Sequence, residues 1–269
     1  MTALKWVNTR PFSYDTFTLQ APADLTPVIS SSAGVNQQVG IRPNSARQLR
    51  LKRLAWPFVS FTNQWFVTGF LERILGRWMR DHMSPTDPFL EIGAGDLGLR
   101  RFLPRGSVYN AIDIAYSEFT LRRVLPRAAK RGQHLNLALA SVNHIPLADS
   151  SVAFSASKEV FMYPPDIPAA LREVFRVTRP NGYFACTIGN LYCTKYQRKG
   201  LQPDFRSPFH FDEFRLAAES VGFRCIHAIQ KGWWVPLPLW LCKTTYQLPF
   251  TSSQENNNTN FLYLFQAVK

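Results

Sequence analysis

One short run of the chain, Phe89-Leu90-Glu91-Ile92-Gly93-Ala94-Gly95-Asp96-Leu97-Gly98, has the residue types needed to hold a small charged ligand. An apolar strand leads into a glycine-rich turn, where glycine lets the backbone take positive φ and approach a ligand closely. Glu91 stands two residues before the first glycine, where a carboxylate can meet a cationic amino group. Asp113 ends the next apolar segment and offers two acceptor oxygens, which suits the vicinal hydroxyls of a ribose. The spacing Gly93-x-Gly95-x-x-Gly98 with Asp113 downstream also satisfies the dinucleotide fingerprint. On these residues alone, a nicotinamide-dependent dehydrogenase stays open beside other nucleoside-cofactor enzymes.

Three later segments separate those readings. They are Asn110-Ala111-Ile112-Asp113-Ile114-Ala115, then Leu139-Ala140-Ser141-Val142-Asn143-His144-Ile145-Pro146-Leu147-Ala148-Asp149-Ser150-Ser151-Val152, then Ala170-Leu171-Arg172-Glu173-Val174-Phe175-Arg176-Val177-Thr178-Arg179-Pro180-Asn181-Gly182-Tyr183-Phe184. In this order and spacing the chain resembles the class I S-adenosylmethionine-dependent methyltransferases that act on small molecules. The resemblance covers about Asp87 to Ile229 and includes His210-Phe211-Asp212-Glu213-Phe214, the start of the helix before that family's sixth strand. It implies S-adenosylmethionine as cofactor and S-adenosylhomocysteine as product. It also implies that Glu91 stands near the ammonium of the methionine part, over a turn lined by Gly93, Ala94 and Gly95. Asp113, with Ile114 beside it, would take the ribose. Ser141 would hold the adenine through its side chain and Val142 through its backbone N–H, while Ser157 and Lys158 would pass beside the sulfonium.

The sequence departs from the family at three places: Leu97 replaces the third glycine, Ser141 the usual aspartate, and Val152-Ala153 a Phe-Asp pair. Lost polar contacts of this kind cost about 1.5–3 kcal/mol each, which leaves a cofactor-degenerate interaction protein as one further reading. Methyl transfer needs mainly alignment, and positioning alone supplies about 7–11 kcal/mol. A general base, if used, belongs on the loops after the fourth and fifth strands of the family's sheet, at the carboxyl ends. The candidates there are Glu159, Tyr163, Tyr192 and His210. On the substrate side, Tyr192, Lys195, Tyr196, Arg198 and Lys199 mix aromatic and basic groups, and Trp233 and Trp234 open an apolar, proline-broken stretch. Such walls suit a small or lipid-like acceptor with an anionic group.

The elements that must position these residues read as α/β: a Rossmann-like, seven-stranded, mostly parallel sheet with helices on both faces, preceded by an N-terminal helical cap. Expected strands are 88–92, 108–113, 135–141, 152–157, 183–188, 223–229 and 261–268, and expected helices 97–102, 117–131, 166–177 and 212–221. Residues 1–85 read as an arm and helical cap, including basic residues 45–55 and an amphipathic helix over Phe58–Arg80 with Glu72, Arg73, Arg77 and Arg80 on its polar side. Residues 86–269 form the methyltransferase-like domain, with an aromatic insertion at about 230–260. The net charge of +13 suggests anionic partners. It is spread as +6, +3 and +4 over residues 1–85, 86–185 and 186–269, which favours a small acceptor over RNA methylation. Cys186, Cys193, Cys225 and Cys242 form no CxxC pair, so no metal is expected. A cytoplasmic protein is expected, with peripheral membrane contact through the Phe58–Arg80 helix as an option.

Overall fold

The computed structural model describes residues 7–8, 40–42, 69–164, 166–194, 209–234 and 247–269. In chain order the described elements are β1 (Val7–Asn8), β2 (Gly40–Arg42), α1 (Gly69–His82), β3 (Phe89–Ile92), β4 (Val108–Asp113), β5 (Ala115–Ser117), α2 (Glu118–Lys130), β6 (His134–Leu139), β7 (Val152–Lys158), α3 (Ile167–Val177), β8 (Thr178–Gly189), α4 (Phe211–Ser220), β9 (Phe223–Trp234), β10 (Gln247–Leu248) and β11 (Asn258–Ala267). Two 3-10 turns, Leu99–Phe102 and Glu255–Asn257, complete the set.

The main sheet runs β1-β6-β4-β3-β7-β8-β11-β9-β10. Its seven central strands are the seven expected from sequence, and the two-residue β1 and β10 pair antiparallel at the edges. Neighbours from β6 to β8 pair in parallel. β11 is antiparallel to both β8 and β9, which leaves β9 parallel to the rest. The carboxyl ends of six strands therefore share one edge with the amino end of β11. Sequence composition explains the arrangement: every residue of β3 and the first six of β7 are buried, as befits central strands covered on both faces.

Side chains alternate across the sheet. Phe89, Tyr109, Phe154 and Leu262 face a layer made by α1, α2 and the Leu99–Phe102 turn. Leu90, Ile92, Phe184 and Phe265 face α3 and α4. Asp166 caps α3, accepting the Ala169 N–H at 2.9 Å, so the helix expected from 166 starts one residue later. A separate pair, β2 with β5, brings residues 40–42 beside the segment that follows Asp113.

Three local expectations change. The 97–102 helix is a 3-10 turn over Leu99–Phe102, because Leu97 takes φ +55° and cannot open a right-handed helix. Trp233 and Trp234 lie in β9 rather than in a connection: the strand extends five residues past Ile229, with Trp234 buried and Trp233 exposed. Within 58–80, the described part is α1, whose Phe70, Leu71, Leu75, Trp78 and Met79 are buried against the sheet and so are not a free apolar wall. Residues 58–68 and the expected helix at 45–55 lie outside the described residues. Among the described residues no helix is long and apolar enough to cross a membrane, and no cluster of His, Cys, Asp and Glu is placed to hold a metal.

Candidate cofactor and acceptor site

At the carboxyl end of β3 the chain turns through Gly93, at φ +66°, whose N–H donates to the Ile112 carbonyl at 2.9 Å. A side chain here would meet Val160, since an added Cβ would lie 2.1 Å from its Cγ2. Gly95, at φ +30°, donates its N–H to Asp113 Oδ2 at 2.7 Å, and the Ala115 N–H donates to Oδ1 at 3.0 Å. The glycine turn and the start of β5 thus hold the Asp113 carboxylate between them at the end of β4, with Ile114 at the bend. Leu97 takes a left-handed backbone, at a cost of about 1–2 kcal/mol, and buries its side chain in the core.

Beneath the turn lies an ionic network that the sequence reading missed. Glu72 of α1, expected on the polar side of its helix, is buried and pairs with Lys158 at 2.5 Å and Arg101 at 2.6 Å. Lys158 also meets Asp96 at 3.3 Å. Burial works against the charge on Lys158, but Asp96 and Glu72 outweigh it and hold the ammonium above the usual lysine range. Glu91 is 1% exposed and accepts the Tyr109 hydroxyl. Burial pushes its carboxyl well above the usual range, against the pull of that hydroxyl. Helical spacing held the signal for Glu72, which falls three and seven residues before the buried Leu75 and Met79.

The loop after β6 carries Ser141, half-buried, and Val142, buried. Ser141 Oγ accepts the Asn143 N–H at 3.2 Å. Arg176 pins the rest of this loop, donating to the carbonyls of Leu147 (2.9 Å) and Ile145 (3.0 Å) and pairing with Glu173 and Asp149. Ser157, at the end of β7, is fully buried.

On the acceptor side, Glu159 follows β7 at φ +55°, its N–H donating to the Thr187 carbonyl at 2.9 Å. Tyr163 is exposed. Tyr192 follows β8, and its ring stacks on His210, the residue that caps α4. Glu255, not singled out from sequence, stands 3.8 Å from the His210 ring. Trp233 and Trp234 reach the same edge at the end of β9. The structure therefore brings Glu91, Gly93, Ala94, Gly95, Asp113, Ile114, Ser141, Val142, Ser157 and Lys158 to one edge of the sheet. Tyr192 follows β8, the strand paired with the β7 that carries Ser157 and Lys158, and the ring of His210 stacks on it. Lys195, Tyr196, Arg198 and Lys199 lie outside the described residues.

Residues 90–186 match a family model described as a methyltransferase domain. The chain is 31% identical over 112 residues to a malonyl-[acyl-carrier protein] O-methyltransferase of Serratia marcescens, covering 41% of this chain and 40% of that one. It is 25% identical over 122 residues to an uncharacterized methyltransferase of Schizosaccharomyces pombe, covering 42% of this chain and 44% of the relative. The chain thus spans about two fifths of the length of these curated relatives. Among solved structures, geranyl diphosphate C-methyltransferase from Streptomyces coelicolor A3(2), in complex with Mg2+, geranyl diphosphate and S-adenosyl-L-homocysteine, superposes with a TM-score of 0.51 at 17% identity, covering 73% of this chain and 77% of that one.

The residues present fit the S-adenosylmethionine that the sequence resemblance implies. Two buried polar atoms at the carboxyl edge, Ser157 Oγ and Asn143 Oδ1, have no hydrogen-bond partner among the described residues. Buried polar groups ordinarily find one, so each marks a place where a polar ligand would be satisfied. The two flank the region between the glycine turn and the Ser141 loop.

Proposed function

We propose that this chain, whose residues 90–186 match a methyltransferase domain, is a class I S-adenosylmethionine-dependent methyltransferase that transfers a methyl group to a small or lipid-like acceptor bearing an anionic group. When bound, the cofactor supplies an electrophilic methyl on a sulfonium. Asp113 would hold the ribose hydroxyls, Ser141 and Val142 the adenine, and Glu91 with the Gly93–Gly95 turn the amino-acid end. Ser157 and Lys158 would border the sulfonium. Most of what the chain must do is hold an acceptor atom in line with that methyl and exclude water, and alignment of this kind is worth about 7–11 kcal/mol.

One observation carries the acceptor reading. β8 delivers Asn190–Thr194 to the same edge as Asp113 and Ser157, and the sequence that continues from Thr194 is Lys195-Tyr196-Gln197-Arg198-Lys199. Tyr192 thus stands at that edge, and the run of basic and aromatic residues follows it in the sequence. The Serratia relative supports the reading, since its name assigns it a malonyl acceptor.

Calorimetric titration with S-adenosylmethionine, S-adenosylhomocysteine and NAD tests the cofactor half, and binding of NAD alone would refute it. A transfer screen over amphipathic acids, phenols and RNA tests the other half. The expected outcome is transfer to a small acceptor with modest salt dependence, and a KM raised for anionic acceptors when Lys195, Arg198 and Lys199 are reversed in charge. Activity confined to RNA and lost steeply with salt would overturn it.

A further inference from the structure

Three side chains from distant parts of the sequence meet beyond the end of β8. The rings of Tyr192 and His210 lie face to face, centroids 3.8 Å apart and planes 4° from parallel. Glu255 Oε1 stands 3.8 Å from His210 Nδ1, and that oxygen is buried without a hydrogen-bond partner among the described residues. The separation is too long for a hydrogen bond. It is short enough for an ion pair once the imidazole takes a proton, and apo-state contacts of this sort commonly tighten when substrate binds.

The backbone around the three is tied down. Asn190 Nδ2 donates to the carbonyls of Glu255 (3.1 Å) and Asn258 (2.8 Å), and the Thr194 N–H donates to the Asn256 carbonyl at 2.8 Å. The Tyr192 N–H donates to Asn190 Oδ1 at 3.0 Å. His210 is anchored through its own N–H, which donates to Glu213 Oε2 at 2.7 Å. The described charged groups around the imidazole are Glu255 from the loop before β11, Asp212 and Glu213 from the first turn of α4, and the positive end of α4 itself. Glu255 alone among them faces a ring nitrogen at ion-pair distance.

We propose that His210 is the general base of the transfer and Glu255 its positioning residue, so that the acceptor is a group that must lose a proton as it is methylated, a hydroxyl of phenol or enol type. The inference rests on the methyl-transfer reading of the site. With Nδ1 turned to Glu255, Nε2 is left to accept the proton. As the acceptor oxygen bonds the methyl carbon, the methyl–sulfur bond breaks and its electron pair stays on sulfur. The hydroxyl proton passes to Nε2, and the imidazolium so formed is stabilised by the Glu255 carboxylate. A carboxylate acceptor has no proton to lose and makes no use of this pair.

Two measurements test it. Nitrogen-15 NMR of the histidine-labelled protein should show His210 with its proton on Nδ1, and Glu255→Leu should redistribute that proton between the two nitrogens; an unchanged tautomer overturns the role of Glu255. Transfer is then measured on phenols with pKa values from about 5 to about 10, with carboxylic acids alongside. His210→Asn, which retains a helix cap, should slow kcat by about 10²–10⁴ for the weakly acidic phenols and little for those already ionised. Glu255→Gln should lower kcat for the same phenols with KM unchanged, and Glu255→Asp should recover part of the loss. Equal losses across the phenol series, or transfer confined to carboxylic acids with His210→Asn matching the unaltered protein, overturns the proposal and leaves methyl transfer standing. Absence of transfer to every acceptor would refute the methyl-transfer reading and this proposal with it.

Discussion

Replacing Glu91 with glutamine separates the structural cost of a buried acid from its use. The carboxyl is 1% exposed and its pKa is raised well above normal by burial. In the unfolded chain a glutamate ionises near pH 4.3. Above that pH the unfolded chain has given up its proton while the folded chain keeps it, up to the higher folded pKa. The folded state binds more protons across this window, so stability falls as pH rises, by up to about 1.4 kcal/mol per unit. At about 2–4 °C per kcal/mol for chains near this size, the melting temperature should lose up to roughly 3–6 °C per pH unit relative to Glu91→Gln. The other carboxylates contribute alike to both proteins and cancel in the difference. A constant offset reflects how well the new amide pairs: its oxygen can accept the Tyr109 hydroxyl, and its NH2 needs an acceptor. Differential scanning calorimetry from about pH 4.5 to 8 reads the slope difference. Curves that stay parallel throughout would mean that Glu91 is ionised in the folded protein, and the reasoning would fail. The same variant reports on binding. If Glu91 meets the cofactor's ammonium it must ionise to do so, and calorimetry in buffers of different ionisation heat should detect a released proton that Glu91→Gln lacks.

Three further outcomes follow from the contacts around the turn. Asp113→Ala should weaken S-adenosylmethionine binding by about 1.5–3 kcal/mol in calorimetry; because it also strands the Gly95 and Ala115 N–H groups, urea melts should show about 1–2 kcal/mol lost without cofactor. Arg176→Met removes the donors that hold Ile145 and Leu147, and should cost about 2–3 kcal/mol while hydrogen exchange quickens over 141–150. Leu97→Gly relieves about 1–2 kcal/mol of left-handed strain but empties a buried leucine site worth about 2–5 kcal/mol. Urea unfolding should therefore show net destabilisation, and a stabilised variant would mean that strain dominates.

What could be read from the sequence was whatever is periodic or local. Strands announced themselves because a parallel sheet covered on both faces must be apolar along its length, and Asp113 and the glycines because a turn onto a ligand restricts residue type at fixed spacing. The misses are tertiary. Glu72 read as solvent-facing since an acid on a helix is usually solvated; only the placement of Lys158 and Arg101, from other elements, explains its burial. Glu255 gave no signal because its neighbours Tyr192 and His210 are distant in sequence, brought to it by the Asn190 and Thr194 contacts and by the stacking of the two rings. Trp233 read as loop because the prolines that follow it suggested a break, whereas β9 runs on to Trp234, its end paired with β10 and β11.

The charge of +13 acquires a different meaning once the site is mapped. Beneath the glycine turn, Lys158 and Arg101 are matched by Glu72 and Asp96, and Glu91 is held toward its neutral form. The floor is close to neutral, and the surplus lies elsewhere, for example on exposed Arg127 and Lys130 of α2. A sulfonium cofactor carries one positive charge more than its thioether product. A neutral floor would bind the two about equally. Ionisation of Glu91 on binding would add one negative charge and so favour the charged cofactor over the spent one. The proton-release measurement therefore bears on exchange as well as on binding. If release accompanies S-adenosylmethionine, and its affinity relative to S-adenosylhomocysteine rises with pH in the unaltered protein but not in Glu91→Gln, the buried acid sets the preference for the methyl donor. If both ligands release the same proton, the ammonium they share is responsible, and the preference must come from the groups beside the sulfur, Ser157 and Lys158.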